Sequence, residues 1–139
     1  MAAAKSRGAK RAVLLPVSVP SHSSLMRGAA DELAARLAVT PLRMPDVAAV
    51  YTVDVQTHAS VDGIRRALKE QLYRPVRWAD TVRAMIGAGA TTLVECGPGK
   101  VLTTLNRRIE RRPDLAALAL EDPAGVEAAL ATCREKQHD

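Results

Sequence analysis

The stretch TTLVECGPGKVLTTLNRRI, residues 91–109, constrains the fold more than any other part of the chain. A short β-branched and apolar run ends in two glycines around a proline, and an amphipathic repeat follows at once. Such a strand, turn and helix cannot bury its apolar faces alone. It needs a parallel neighbour strand and helices packed on the sheet. A short apolar run, LAALAL, residues 115–120, follows, and PAGVEAALATCRE, residues 123–135, reads as a last helix.

Upstream, the patterning continues in the same way. Residues 3–9 read as the tail of a helix closed by Gly8, and RAVLLPVSV, residues 11–19, as a strand that Pro16 and Pro20 confine to an edge or a bulge. From Ser24, available as an N-cap, Leu25, Ala29, Leu33 and Leu37 form a helical stripe. Val50 to Val55 reads as a strand, and Asp62 as the cap of a helix carrying Ile64, Leu68 and Leu72 that Pro75 ends. A further helix turns Trp78, Val82, Met85 and Ile86 inward and closes at Gly87 and Gly89. The fold class is therefore α/β, a partial parallel sheet with flanking helices.

The glycine turn before Lys100 invites a phosphate-loop reading, which fails on spacing. That loop needs a glycine five residues before the glycine of its Gly-Lys pair and a hydroxyl residue after the lysine. Val94 and Val101 stand there. A tight strand-to-helix connection is the expectation.

With 20 Lys+Arg against 15 Asp+Glu, the net charge of +5 suits an acidic partner. The basic residues lie in clusters around Lys5, Arg65, Arg74 and Arg107, and most such clusters are solvated helix faces. Aromatic residues make up only 2% of the chain, which removes base-stacking platforms and argues against nucleic acid. Cys96 and Cys133 show no metal-ligand spacing and read as reduced thiols, and the apolar run from Ala12 to Leu15 is too short for a signal peptide or a membrane span. A cytoplasmic location is the resulting expectation, with no membrane partner.

His22 raises the question of chemistry. In LPVSVPSHSSLM, residues 15–26, it follows the first β-rich run and is surrounded by Ser21, Ser23 and Ser24. Its plain reading is a hydrogen-bonded turn residue. Its functional reading is a general base, since imidazole both takes and returns a proton near neutral pH. A base needs a nucleophile and an orienting group. The three serines serve poorly as nucleophiles, because neighbouring side chains diverge and Ser24 is better used as a cap, and the sequence holds no G-x-S-x-G elbow. His58 and His138 have no polar constellation in the sequence.

Four stretches together resemble the malonyl-CoA:acyl carrier protein transacylase family: GAKRAVLLPVSVPSHSSLM (8–26), TVDV (52–55), ALKEQLYRPVRWADTVRAMIGAG (67–89) and ECGPGKVL (95–102). They stand in the family's order. The resemblance implies the C-terminal part of an α/β-hydrolase-like acyltransferase fold, plus the last strand of its ferredoxin-like subdomain. Residues 1–22 would be the remnant of that small subdomain, 23–132 part of the large one and 133–139 a tail.

The implied reaction moves a malonyl group from malonyl-CoA to the phosphopantetheine thiol of acyl carrier protein, in fatty acid biosynthesis, with no cofactor and no metal. The family's histidine base maps to His22. The residue whose backbone carbonyl orients it maps to Gln71. The family's G-H-S-x-G serine, oxyanion-hole glutamine and carboxylate-binding arginine have no counterpart in this sequence, so the chain is expected to be inactive alone and to need an N-terminal half. Where the family has an Asn-Asn pair before VDV, this chain has Tyr51 and Thr52. The rival expectation is a basic, non-catalytic module that binds acyl carrier protein or nucleic acid by charge through the clusters near Arg65 and Arg107.

Overall fold

The structure is a computed structural model that describes residues 1–14 and 17–135. In chain order it contains α1 (Ala2–Ser6), a 3₁₀ turn (Ser24–Met26), α2 (Arg27–Val39), α3 (Val61–Glu70), α4 (Trp78–Gly87), β1 (Thr92–Glu95), α5 (Val101–Ile109), β2 (Ala116–Ala119) and α6 (Pro123–Glu135). β1 and β2 pair in parallel, Thr92 opposite Ala116 and Glu95 opposite Ala119. The α/β reading of the sequence holds, with α4 leading into β1 and α5 and α6 following β1 and β2.

Termination signals explain the α4–β1–α5 passage. Gly89, at φ 99, lets its own N–H reach Ile86 O and the Ala90 N–H reach Met85 O, which satisfies the last carbonyls of α4. Gly8, at φ 89, closes α1 with the same pair of bonds, to Lys5 O and Ala4 O. At the start of α5 the cap comes from outside the helix. Glu95, the last residue of β1, accepts from Leu102 N (3.1 Å), Thr103 N (2.7 Å) and the Thr103 hydroxyl (2.8 Å).

Small side chains dominate the core, as the scarcity of aromatics requires. Val82 and Ala30 are fully buried, with Val53, Ile64, Ala67, Leu93, Ala117 and Ala129 nearly so. Burying one such valine or isoleucine contributes about 1.5–3 kcal/mol. Trp78 bridges α4 to α5 by donating to the Oδ1 of buried Asn106 at 3.0 Å.

Several expectations are corrected. Among the described residues, 11–14 and 17–19 form no strand, and Val13, Leu14, Val17 and Val19 are exposed. A strand requires a neighbour to pair with, and none lies alongside among the described residues. The stripe of α2 holds at Leu33 and Leu37, which are half-buried, but not at its start: Ala30 and not Ala29 is buried, and Leu25 is 78% exposed. The reason is that Leu25 lies in the 3₁₀ turn, where the 3.6-residue period has not begun. Ser24 therefore caps nothing.

Residues 50–55 are a tight loop and not a strand. Asp54 accepts from the Gln56 N–H, the Val55 N–H turns back to Tyr51 O, and Val55 sits at φ 63. A side-chain acceptor competing with the ladder accounts for the turn. Ser60, not Asp62, caps α3 by accepting from Gly63 N, and α3 stops at Glu70, well before Pro75. Gly63 has a packing role, since a Cβ there would stand 3.1 Å from the Cβ of His58.

Candidate functional site

Two distant segments meet at the end of α3. The last carbonyls of an α-helix lack intrahelical partners and must find donors elsewhere. Gln71 is the C-cap of α3, and its carbonyl lies 2.8 Å from Nδ1 of His22; the Leu72 carbonyl accepts from the His22 N–H, also at 2.8 Å. One histidine thus satisfies two successive carbonyls with its ring and its main chain.

The chemistry of these atoms fixes the tautomer. A carbonyl can only accept, so Nδ1 carries the proton and Nε2 of the neutral ring keeps its lone pair. His22 is exposed, and among the described residues Nε2 has no hydrogen-bond partner. The ring is therefore oriented through one nitrogen while the other is left available to take a proton.

Holding the ring there requires an unusual backbone. His22 sits at φ 61, a region that costs a residue with a Cβ about 1–3 kcal/mol. Next to it, the Ser23 hydroxyl donates to Pro20 O at 2.7 Å. Ser23 holds the N-cap position of the 3₁₀ turn, yet its side chain caps nothing.

The frame behind the pair is the α2–α3 packing. Arg65 of α3 donates to Leu37 O (2.9 Å) and Thr40 O (3.1 Å) at the end of α2, and Lys69 pairs with Asp31 at 2.7 Å. That pairing draws the Asp31 carboxyl below its usual range and raises the Lys69 ammonium. Arg27 stacks on the Tyr73 ring at 4.5 Å, linking the start of α2 to the segment just past Leu72.

Residues of the Arg65, Arg74 and Arg107 clusters are used in the same internal way. Arg107 donates to Ala117 O, while Arg74, Arg77 and Arg112 pair with Glu70, Asp80 and Asp114. At the glycine turn, the Glu95 carboxylate already occupies the amide donors that a phosphate would need. Those donors, the Thr103 N–H foremost, hold its carboxyl below the usual carboxylate range.

His58 does have polar company, contrary to the sequence reading. Its Nε2 lies 3.2 Å from Asp54 Oδ2, at ion-pair distance but without hydrogen-bond alignment, and Tyr51 stacks beside it. The signal was the i, i+4 spacing of Asp54 and His58, legible only once the loop brings them to one side. His138 lies outside the described residues. Cys96 and Cys133 are free and exposed, and no cluster able to hold a metal occurs among the described residues. No helix among them is long and apolar enough to cross a membrane.

A cavity of about 700 Å³ lies away from His22, against β1, α4 and the 48–57 loop, with Val50, Val55, Trp78, Met85 and Leu102 in its lining. Thr92 lines it too, with a buried hydroxyl that lacks a partner.

Fold and site together define a part of an α/β protein that carries an oriented histidine ring with one nitrogen left open. No family model matches the chain. It is 50% identical over 129 residues to the malonyl CoA-acyl carrier protein transacylase of Escherichia coli, and 40% identical over 133 residues to that of Bacillus subtilis. These matches cover 93% and 96% of this chain but 41% of each relative. Among solved structures, the Xanthomonas oryzae malonyl-CoA:acyl carrier protein transacylase superposes with a TM-score of 0.88 at 44% identity, over 94% of this chain and 41% of that one. A malonyl-transacylase in complex with a type II PKS acyl-carrier protein gives 0.86 at 46% identity, over 94% and 42%. These relatives, up to 50% identical over 93% of this chain, are malonyl CoA-acyl carrier protein transacylases, and the chain corresponds to a C-terminal portion spanning about 41% of their length.

Proposed function

We propose that this chain supplies the base half of a malonyl-transfer site. The observation that carries the reading is the single hydrogen bond from Nδ1 of His22 to Gln71 O, which leaves Nε2 open. In this reading His22 is the general base, and the backbone carbonyl of Gln71 orients it. A serine from the portion of the family polypeptide outside this sequence loses its proton to Nε2 as it attacks the thioester of malonyl-CoA. CoA departs as the thiol when the imidazolium returns the proton. The phosphopantetheine thiol of acyl carrier protein then attacks the acyl-serine by the same proton relay.

The carbonyls at the end of α3 face the charge that the ring acquires, and the negative end of a helix favours it. A neutral carbonyl stabilises imidazolium less than a carboxylate does. A thioester is an activated acyl donor, so less assistance is required. No cofactor or metal has a role in this scheme.

The sequence contains no G-H-S-x-G elbow, so the 139-residue chain by itself is inactive in this reading. The exposed Val17, Val19 and Leu25 and the apolar cavity beside β1 are apt to be covered by the N-terminal portion of such an enzyme. In this reading residues 1–22 belong to its small subdomain, 23–132 to the large one and 133–139 to a tail, although α6 runs on to Glu135. A cytoplasmic location and a fatty acid pathway complete the proposal. Nucleic acid has no part in it, since Arg65 and Arg107 serve the chain's own carbonyls.

The test is to combine this chain with the N-terminal portion of a family member and follow malonyl transfer to acyl carrier protein. Transfer that disappears in His22→Ala supports the reading. A stable malonyl adduct on the 139-residue chain alone, seen by intact mass, would sink it, because a nucleophile would then lie within this sequence.

A further inference from the structure

We propose that Ser23 is the positioning residue of the His22 base, and not a nucleophile. The role assigned to His22 rests on the reading above; the effect of Ser23 on the ring does not.

Pro20 to Ser23 form a four-residue turn whose third residue, His22, is left-handed at φ 61. Closure of such a turn ordinarily comes from the backbone N–H of the fourth residue to the carbonyl of the first. Here the Ser23 hydroxyl also donates to that carbonyl, at 2.7 Å from Pro20 O. This use of the hydroxyl is costly for the helix. A serine at an N-cap, extended as Ser23 is at φ −129 and ψ 164, ordinarily accepts from the first free N–H groups. Ser23 forgoes that bond and points back to Pro20. Its proton is committed to a carbonyl, which cannot act as a base, so the hydroxyl is also poorly placed for attack.

The consequence reaches the ring. Without the hydroxyl bond, a residue with a Cβ relaxes from the left-handed region toward extended backbone. The His22 N–H can keep its bond to Leu72 O through a small rotation, but the side chain swings and Nδ1 leaves Gln71 O. A neutral imidazole released from a carbonyl reverts to the mixture of tautomers it adopts in water. Ser23 thereby determines which nitrogen is basic, and toward which side.

The experiment is a long-range ¹H–¹⁵N correlation of the 139-residue chain labelled in histidine, with the His22 ring assigned from its loss in His22→Ala. The native chain is expected to show the Nδ1–H tautomer. In Ser23→Ala the ratio of Nδ1–H to Nε2–H falls roughly two- to tenfold, the range set by the net worth of one hydrogen bond. Ser23→Thr, which keeps a hydroxyl, restores it. An unchanged ratio in Ser23→Ala overturns the proposal. The half-buried His58 ring, packed beside Tyr51, serves as the folding control. Should that signal collapse in Ser23→Ala, Ser23→Cys, with its weaker donor, decides the matter: an intermediate ratio supports the role and a native ratio overturns it. The readout involves no acyl substrate, so a failed transfer assay would remove the proposed function while leaving this result intact.

Discussion

Among the helix ends met by a polar side chain from another element, two differ in an instructive way. At the start of α5 the free N–H groups are met by Glu95, and at the end of α3 the free carbonyls are met by His22. The electrostatics are mirror images, acceptor to donors at one end and donor to acceptors at the other. Glu95 spends both carboxylate oxygens, and Thr103 relays the contact to Leu118 O of β2. His22 spends only one ring nitrogen. The first arrangement is closed and holds strand to helix. The second leaves a lone pair over, and that remainder is what makes a cap available for chemistry.

The contrast breaks most decisively at His22. In the enzyme completed with an N-terminal portion, His22→Ala is expected to lower malonyl transfer by about 10²–10⁴-fold, the usual contribution of a general base. Its melting temperature should hardly move, since α3 keeps water as a partner for its carbonyls. A comparable loss of stability and activity together would make His22 a structural cap like Glu95.

A smaller effect, of the opposite kind, is expected at the closed end. Thr103 is buried, and Thr103→Val removes the single hydroxyl proton that the Glu95 carboxylate and Leu118 O share. A loss of about 1–3 kcal/mol in denaturant unfolding is expected, because Leu118 O loses a donor in a part-buried site. The tautomer of His22 should be untouched.

Acid sharpens the same comparison. Hydrogen bonds from Thr103 and Leu102 hold the Glu95 carboxyl below its ordinary value in the folded chain. Its contribution is complete above the unfolded value of about 4.3 and disappears as pH falls through the lowered one. In Glu95→Gln, stability should be lower at neutral pH and fall less steeply below about pH 4. Parallel melting curves of the two proteins across that range would detach Glu95 from the cap.

How much of this was legible differs between the two ends. The β1–turn–α5 unit could be read from the sequence because its signals are local: β-branched residues, a glycine turn and an amphipathic stripe, with α4 closed by Gly89 as expected. The capping role of Glu95 was missed, since a carboxylate at the end of a strand gives no local sign that it will fold back on the following helix. Around residues 50–55 the β-branched composition misled, because the Asp54 side chain and the Val55 turn outweigh propensity. At the α3 end, no spacing rule links position 22 to position 71. Family resemblance suggested the pair, and the atoms that meet belong partly to the main chain. The left-handed backbone of His22 and the hydroxyl bond of Ser23 were invisible in the sequence, where serine beside histidine suggested only a cap or a nucleophile.

The smallest expected effect follows from that main-chain character. Gln71 contributes its carbonyl to His22 and its N–H to Ala67 O, and no side-chain hydrogen bond of Gln71 enters the site. Alanine keeps both backbone groups and is a good residue at the end of a helix. Transfer by Gln71→Ala in the completed enzyme should therefore stay within about twofold of the parent, as expected where no hydrogen bond is lost. A much larger loss, with the Nδ1–H tautomer intact, would mean that the Gln71 side chain touches substrate. A larger loss accompanied by a shift of tautomer would mean instead that the side chain fixes the carbonyl's direction, and the open end of α3 would then depend on a side chain as the closed end of α5 depends on Glu95.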